Sequence, residues 1–164
     1  MRCPKNKVKR IEVALRPAVL GDCEALTNLC LRAKAVWGYS EAFLGLTRED
    51  MAVTPRRLNE EIVWVAEQSQ TLLGVVALGA YPNELETGEV TMVFVHPDVH
   101  GQGLGMLLIE CIIEKARAKG YRRLIVVSDP NALGFYESAD FQQAGLSSSE
   151  YIPDRLLPRL VREI

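Results

Sequence analysis

The stretch Val95-His96-Pro97-Asp98-Val99-His100-Gly101-Gln102-Gly103-Leu104-Gly105 decides how the rest of the chain is read. Before it runs an apolar segment, Val90-Thr91-Met92-Val93-Phe94, whose strand is expected to end at His96-Pro97. After it, Leu104, Leu107, Leu108, Cys111 and Ile112 recur on one helical face, which predicts a helix to about Lys119 with Gly120 at its C-cap. Glycine at 101, 103 and 105 lets the backbone approach a ligand closely and take positive φ. The first N–H groups of a helix lack internal partners, and the macrodipole makes that end positive. Strand, glycine loop and helix mouth therefore predict an anion cradle suited to a phosphate group.

The spacing narrows the ligand. It is G-x-G-x-G and not the G-x-G-x-x-G of a dinucleotide fold, and the next strand ends in Ser128-Asp129-Pro130 without an acid placed for a ribose. The P-loop pattern G-x-x-x-x-G-K-[ST] is absent. Taken alone, the loop also fits a tight strand-to-helix connection that holds nothing.

Working outward, residues 11–16 alternate apolar and polar, the period of a half-buried strand. Asp22 reads as an N-cap with Glu24 in the first turn, ahead of an amphipathic helix through Leu26, Leu29, Cys30 and Ala33. Residues 34–60 are irregular with short helical pieces; Thr47-x-x-Asp50 suggests a capping box and Thr54-Pro55 a cap followed by proline. Residues 62–66 and 71–80 read as a hairpin about a polar turn, and 89–95 as a third strand. Residues 124–127 have the pattern of a strand buried on both faces. A helix is expected from Asp129-Pro130 to about Ala139, then strands near 141–144 and 156–163. This order predicts an α/β fold with a mixed sheet. Without repeat or linker, it forms one domain over residues 11–164 behind a basic tail at 1–10.

Composition excludes more than it selects. The 164 residues are 48% hydrophobic and 24% charged, and 19 basic against 21 acidic side chains give a net charge of −2. That balance offers no basic face for nucleic acid. Cys3, Cys23, Cys30 and Cys111 form no C-x-x-C pair and lie far from His96 and His100, so no metal site is read. Three of the cysteines fall among apolar helical positions, as small buried hydrophobes in a reducing, cytoplasmic setting. No signal peptide is apparent, and no apolar run approaches the ~18 residues of a membrane span.

A second block, Asn131-Ala132-Leu133-Gly134-Phe135-Tyr136-Glu137-Ser138-Ala139-Asp140-Phe141, completes the pattern. With it the chain resembles the GNAT superfamily of acyl-CoA-dependent N-acyltransferases. The family motif V-x-P-x-x-[RQ]-x-x-G-x-[GA] corresponds to Val95 through Gly105, and a later motif ending F-Y-x-x-x-G-F to the segment closing at Phe141. Two positions depart from it: His100 stands at [RQ], and Asp140 replaces the glycine before Phe141.

The resemblance implies a mixed, mostly antiparallel sheet of about six to seven strands flanked by about four helices, and acetyl-CoA as co-substrate. By the same resemblance, backbone groups at Val93, Phe94 and Val95 meet the pantetheine arm. Amides of His100, Gly101, Gln102, Gly103, Leu104, Gly105 and Met106 hold the pyrophosphate, and Asn131 lies near the cofactor arm. Tyr136 matches the general acid; packed beside Phe135, it also reads as a core residue. Glu89 is the best-placed base acting through water, with Glu84 and Glu86 as alternatives, and a solvated strand end is its bland reading. Trp37 and Tyr39 are expected to shape the acceptor site, for a small-molecule amine. A homodimer is expected by analogy. The competing readings are a protein N-terminal acetyltransferase, a non-catalytic acyl-CoA sensor or interaction domain, and a nucleotide-binding domain.

Overall fold

The computed structural model describes residues 11–164; the basic segment 1–10, with Cys3, lies outside the described residues. Strands β1 (Ala14–Pro17), β2 (Ile62–Gln68), β3 (Thr71–Ala80) and β4 (Thr87–Val95) form an antiparallel meander. Strand β5 (Arg123–Val127) lies parallel to β4, β7 (Leu156–Glu163) pairs antiparallel with β5, and β6 (Gln142–Ser148) takes the edge. The resulting sheet has seven strands in the order β1-β2-β3-β4-β5-β7-β6. This is the mixed, mostly antiparallel sheet the sequence implies.

Helices α1 (Cys23–Ala35), α2 (Glu41–Leu46), α3 (Arg48–Met51) and α4 (Pro55–Glu60) precede β2. The crossover α5 (Leu104–Ala118) joins β4 to β5, and α6 (Leu133–Ser138) follows β5. Six helices stand where about four were expected, because the segment after Ser40 breaks into three short ones. Ser40 and Thr54 cap two of them by accepting from Phe43 N and Arg57 N, at 3.2 Å each.

The sheet separates two cores. Val76 and Leu78 of β3 point to α5, packing with Leu104, Leu108 and Ile112, while Val75 and Ala77 point to α1 and Leu26, Leu29 and Met51. A bulge in β4 opposite Ala77 and Leu78 inserts one residue, so Val90 packs in the α5 core and Met92 in the α1 core. Gly120 takes φ +89° just beyond α5, the left-handed stop its position predicts.

Local chemistry corrects several expectations. Asp22 makes no side-chain cap on α1; its carboxylate instead receives Arg16 Nη1 at 2.8 Å and the Val19 amide at 2.9 Å. That pairing holds Asp22 well below the usual carboxylate range, with the Arg16 hydrogen bond the main cause. Thr47 makes no capping box, because its hydroxyl donates back to the Leu44 carbonyl at 3.2 Å. The helix expected from Pro130 begins as a 3-10 turn, Pro130–Ala132, whose Asn131 amide donates to Asp129 at 2.9 Å.

Candidate active site

The site begins where β4 leaves β5. The two strands register only at Thr87↔Arg123, Gly88↔Leu124 and Glu89↔Ile125, whereas β3 stays paired with β4 as far as Val95. From Val90 onward, one backbone edge of β4 is therefore open. The His96 amide donates to the Leu73 carbonyl at 2.8 Å, and the Phe94 carbonyl also faces β3, 3.3 Å from where a Cβ on Gly74 would stand. Backbone groups alternate sides along an antiparallel strand, so those of Val93 and Val95 turn to the gap. His100 Nε2 lies 2.9 Å from the Val95 carbonyl, an arrangement in which that nitrogen carries the proton and donates. The substituted motif position thus ties the loop back to the strand.

Beyond Val95 the chain turns through a short 3-10 element, Pro97–Val99, with His96 Nδ1 accepting from the Asp98 amide at 3.2 Å. Gly101 and Gly103 have φ of +75° and +81°, which side-chain-bearing residues rarely adopt. Gly103 N-caps α5 and offers no side chain to the first-turn amides; the first helical bond runs from Leu107 N to Gly103 O at 3.2 Å. The amides of Leu104, Gly105 and Met106 therefore remain available to an anion. Gly105 serves a different need. A Cβ there would stand 2.9 Å from Phe135 Cε2, so glycine lets α6 approach the first turn of α5.

The gap opens into two adjoining cavities. The larger, about 330 Å³, is bounded by the β4 edge, the glycine loop, Asn131 and Phe135. The smaller, about 100 Å³, is bounded by Lys34, Asp50, Ser128, Asp129 and Arg155. Trp37, Val93, Phe94, Ala132 and Tyr136 border both. Tyr136 is buried, with its ring edge-on to Phe135 and Phe141 at centroid distances of 5.1 and 5.7 Å. Burial pushes its phenol well above the ordinary value, so the hydroxyl keeps its proton near neutral pH.

Asp129 organises the far side of the smaller cavity. Its carboxylate receives Tyr39 Oη at 2.9 and 3.1 Å, and the Asn131 amide and Nδ2, each at 2.9 Å. Lys34 Nζ stands 3.8 Å away and Arg155 Nη2 3.4 Å away. The Arg155 guanidinium lies over the Phe43 ring at 4.9 Å, and Phe43 in turn stacks on Tyr39 at 4.1 Å. Burial lowers the Lys34 pKa, while Asp129 and Asp50 oppose that shift.

The structure gathers most of the sequence-nominated residues around the larger cavity: Trp37, Val93, Phe94, Val95, His100, Gly101, Gly103, Leu104, Gly105, Asn131 and Tyr136. Gln102 and Met106 instead border a separate depression with Ile11, Leu107 and Glu110. Tyr39 lines neither main cavity and acts from behind, through its hydroxyl. Glu89 also lines neither. It is half-buried opposite Gly79, and its pKa is raised by burial first, then by Glu61, Glu150 and Asp50. Sequence reasoning missed Lys34, Asp129 and Arg155 as site residues. Lys34 did leave a signal, a lysine four positions after Cys30 on an otherwise apolar helix face, and Asp129 was read as the end of the β5 segment and the start of a helix. Nothing local marks Arg155.

An open strand edge leading to a set of free amides suits a long, hydrogen-bonding ligand with a phosphorylated end, as acyl-CoA-using proteins require. Residues 25–141 match the model of the Acetyltransferase (GNAT) family, and the chain belongs to that family. It is 31% identical over 142 residues to human N-acetyltransferase 8B, covering 79% of this chain and 60% of that protein. It is 31% identical over 96 residues to the amino-acid acetyltransferase of Shewanella oneidensis, covering 54% of this chain and 21% of that protein. The chain thus spans less than two thirds of either relative. Among solved structures, a GCN5-related N-acetyltransferase from Rhodopseudomonas palustris shares the fold. Its TM-score is 0.78 at 20% identity, covering 94% of this chain and 98% of that one. N-acetylglutamate synthase from Neisseria gonorrhoeae, complexed with coenzyme A and N-acetyl-glutamate, superposes with a TM-score of 0.68 at 25% identity, covering 94% of this chain and 36% of that one. Among the described residues, no helix is long and apolar enough to cross a membrane.

Proposed function

We propose that this chain transfers an acetyl group from acetyl-CoA to the primary amine of a small molecule, by direct attack of the amine on the thioester. The observation that carries the reading is the position of Tyr136, protonated and buried in the wall common to two cavities. The larger cavity takes the acyl donor and the smaller the acceptor. Val93 and Val95 offer backbone groups to the pantetheine arm, with Phe94 lining the channel by its side chain. The loop from His100 through Gly101, Gln102 and Gly103 into Leu104, Gly105 and Met106 supplies amides to the pyrophosphate, and Asn131 borders the cofactor arm.

In this reading the N–C bond forms as the C–S bond breaks, the Tyr136 hydroxyl delivers a proton to the departing sulfur, and the phenolate regains, through water, the proton that the acylated nitrogen sheds. An alkyl amine has an ordinary pKa of ~10.4, so a proton must leave it before attack near neutral pH. Glu89 takes that proton through water, its raised pKa bringing it nearer the working range of a base. Trp37 borders both cavities and positions the acceptor beside the thioester, and Tyr39 steadies the acceptor wall through Asp129. Cys30 and Cys111 are buried among apolar helix positions, which suits a reducing, cytoplasmic setting; a homodimer follows from family analogy alone.

The test is thiol release from acetyl-CoA against a panel of amines, with wild type and Tyr136→Phe run together. Turnover with one amine class, sharply reduced in the variant, is the expected result. Binding of acetyl-CoA without turnover of any amine would replace this reading with that of an acyl-CoA sensor. Failure to bind acetyl-CoA would end it.

A further inference from the structure

The smaller cavity holds two cations that the protein leaves under-engaged. Lys34 has a side chain only 9% exposed, yet its contact to Asp129 is 3.8 Å and no hydrogen-bond acceptor reaches its Nζ among the described residues. Arg155, 19% exposed, commits Nη2 to Tyr39 Oη at 3.0 Å and to Asp129 at 3.4 Å. Its Nε and Nη1 donate to nothing among the described residues. An ammonium and a guanidinium edge with donors free and little solvent around them favour an arriving acceptor. Asp129 does not take up those donors. Tyr39 and Asn131 already occupy its oxygens at hydrogen-bond distance, so Lys34 Nζ and Arg155 Nε and Nη1 keep free donors among the described residues.

The two cations are held in place. Lys34 is fixed in the last turn of α1, one turn before Trp37, which borders both cavities. Arg155 is clamped over Phe43 and by the Tyr39 hydroxyl. The same cavity carries Asp50, which makes no ion pair within 4 Å among the described residues; burial raises its pKa while Lys34 and Arg57 oppose that shift, and its carboxyl faces an incoming ammonium. A lining with free donors at one end and an unpaired carboxyl at the other matches a zwitterion.

We infer that the acceptor is an amine that also bears a carboxylate a few bonds away, an amino acid or a close analogue, with Arg155 and Lys34 holding the carboxylate. This inference rests on the acyl-transfer reading of the site and adds the acceptor's class to it. A guanidinium edge matches a planar carboxylate with two parallel N–H···O bonds, and a cavity of about 100 Å³ admits a small headgroup. Arg155 and Lys34 are specificity residues here. They touch the acceptor's anionic end and move no proton.

The experiment compares L-amino acids with their amides, their decarboxylated amines and the corresponding aminoalkyl phosphonates as acceptors. The carboxylates are expected to exceed amides and simple amines in kcat/KM by on the order of 100-fold, because a site built for a polar group rejects an analogue lacking it. Arg155→Gln should raise the acceptor KM by on the order of 10-fold and leave the acetyl-CoA KM unchanged, which also shows that the variant is folded. Arg155→Lys should recover part of the loss. The preference is also read without turnover, by titrating N-acetyl amino acids and their amides into the CoA-saturated protein. Equal use of amides and acids, equal binding of their N-acetyl forms, or a preference for phosphonates would overturn the inference while acyl transfer itself stood. Loss of acetyl-CoA binding in the wild type would instead remove the acyl-transfer reading and this inference with it, an outcome distinct from the three above.

Discussion

Gly105 and Phe135 meet where α5 and α6 come together, with 2.9 Å between the place of a Cβ at 105 and Phe135 Cε2. Phe135 packs edge-on against Tyr136, so the glycine that closes the loop motif also sets the seat of the proposed acid. Gly105→Ala should cost about 1–3 kcal/mol in urea denaturation, the usual range for overpacking, and depress thiol release by displacing α6. Gly134→Ala is the control. Nothing lies within 4 Å of a Cβ there, and alanine in a helix should stabilise by up to about 1 kcal/mol.

Tyr136→Phe keeps the ring and removes the hydroxyl, and with it the proton to be donated. Thiol release should fall roughly 100-fold, the lower range for a general acid, with little change in the acetyl-CoA KM. Because burial raises the Tyr136 pKa, the wild-type rate should show no falling limb from this group as pH rises through neutrality. A falling limb near pH 7 that disappears in Tyr136→Phe would contradict that assignment.

Glu89 gives a prediction with a definite sign. Its carboxyl is held above the ordinary value by burial and by Glu61, Glu150 and Asp50, so the folded protein binds that proton more tightly than the unfolded chain. Stability contributed by the protonated form is therefore lost as pH rises from the ordinary carboxylate value through the raised one. Glu89→Gln should raise Tm relative to wild type at pH 7, and the difference should vanish below pH about 4. In the same variant the rate should lose the limb that rises with pH. Unequal melting at acid pH but equal melting at pH 7 would reverse the sign and refute the account.

Asp129→Ala removes the carboxylate nearest to both Lys34 and Arg155 and leaves Asp50 as the remaining acid of that cavity. Removing one partner from a buried ion pair costs about 3–5 kcal/mol, and the variant's urea midpoint should fall accordingly. Adding Lys34→Met should recover a measurable part of that loss, a coupling that a double-mutant cycle reads directly.

Much of this fold was legible because its signals are local. Glycines at 101 and 103 announce left-handed turns, the polar turn between the strand runs of β2 and β3 announces a hairpin, and the apolar stripe of α5 announces which face is covered. The glycine-loop side of the candidate site was legible for the same reason, since the loop and the first turn of α5 are one continuous stretch. The smaller cavity was not. Lys34, Asp129 and Arg155 come from a helix, a loop after β5 and the connection between β6 and β7, and only the sheet order brings them together. Asp22 and Thr47 misled for a related reason: each side chain has a stronger partner than the helix end beside it, Arg16 for one and the Leu44 carbonyl for the other.

The three-residue parallel seam between β4 and β5 has a mechanical consequence. A continuous seven-stranded sheet would unzip as one body, but here a four-stranded block and a three-stranded block are welded along a short line and strapped by α5. Hydrogen exchange should find the amides near the end of β4 and those of β5 opening at lower free energy than the β2–β3 ladder in the empty protein. A ligand threaded along the open edge would act as mortar, supplying the hydrogen bonds the missing strand contacts omit, so donor binding should knit the two blocks into one cooperative unit.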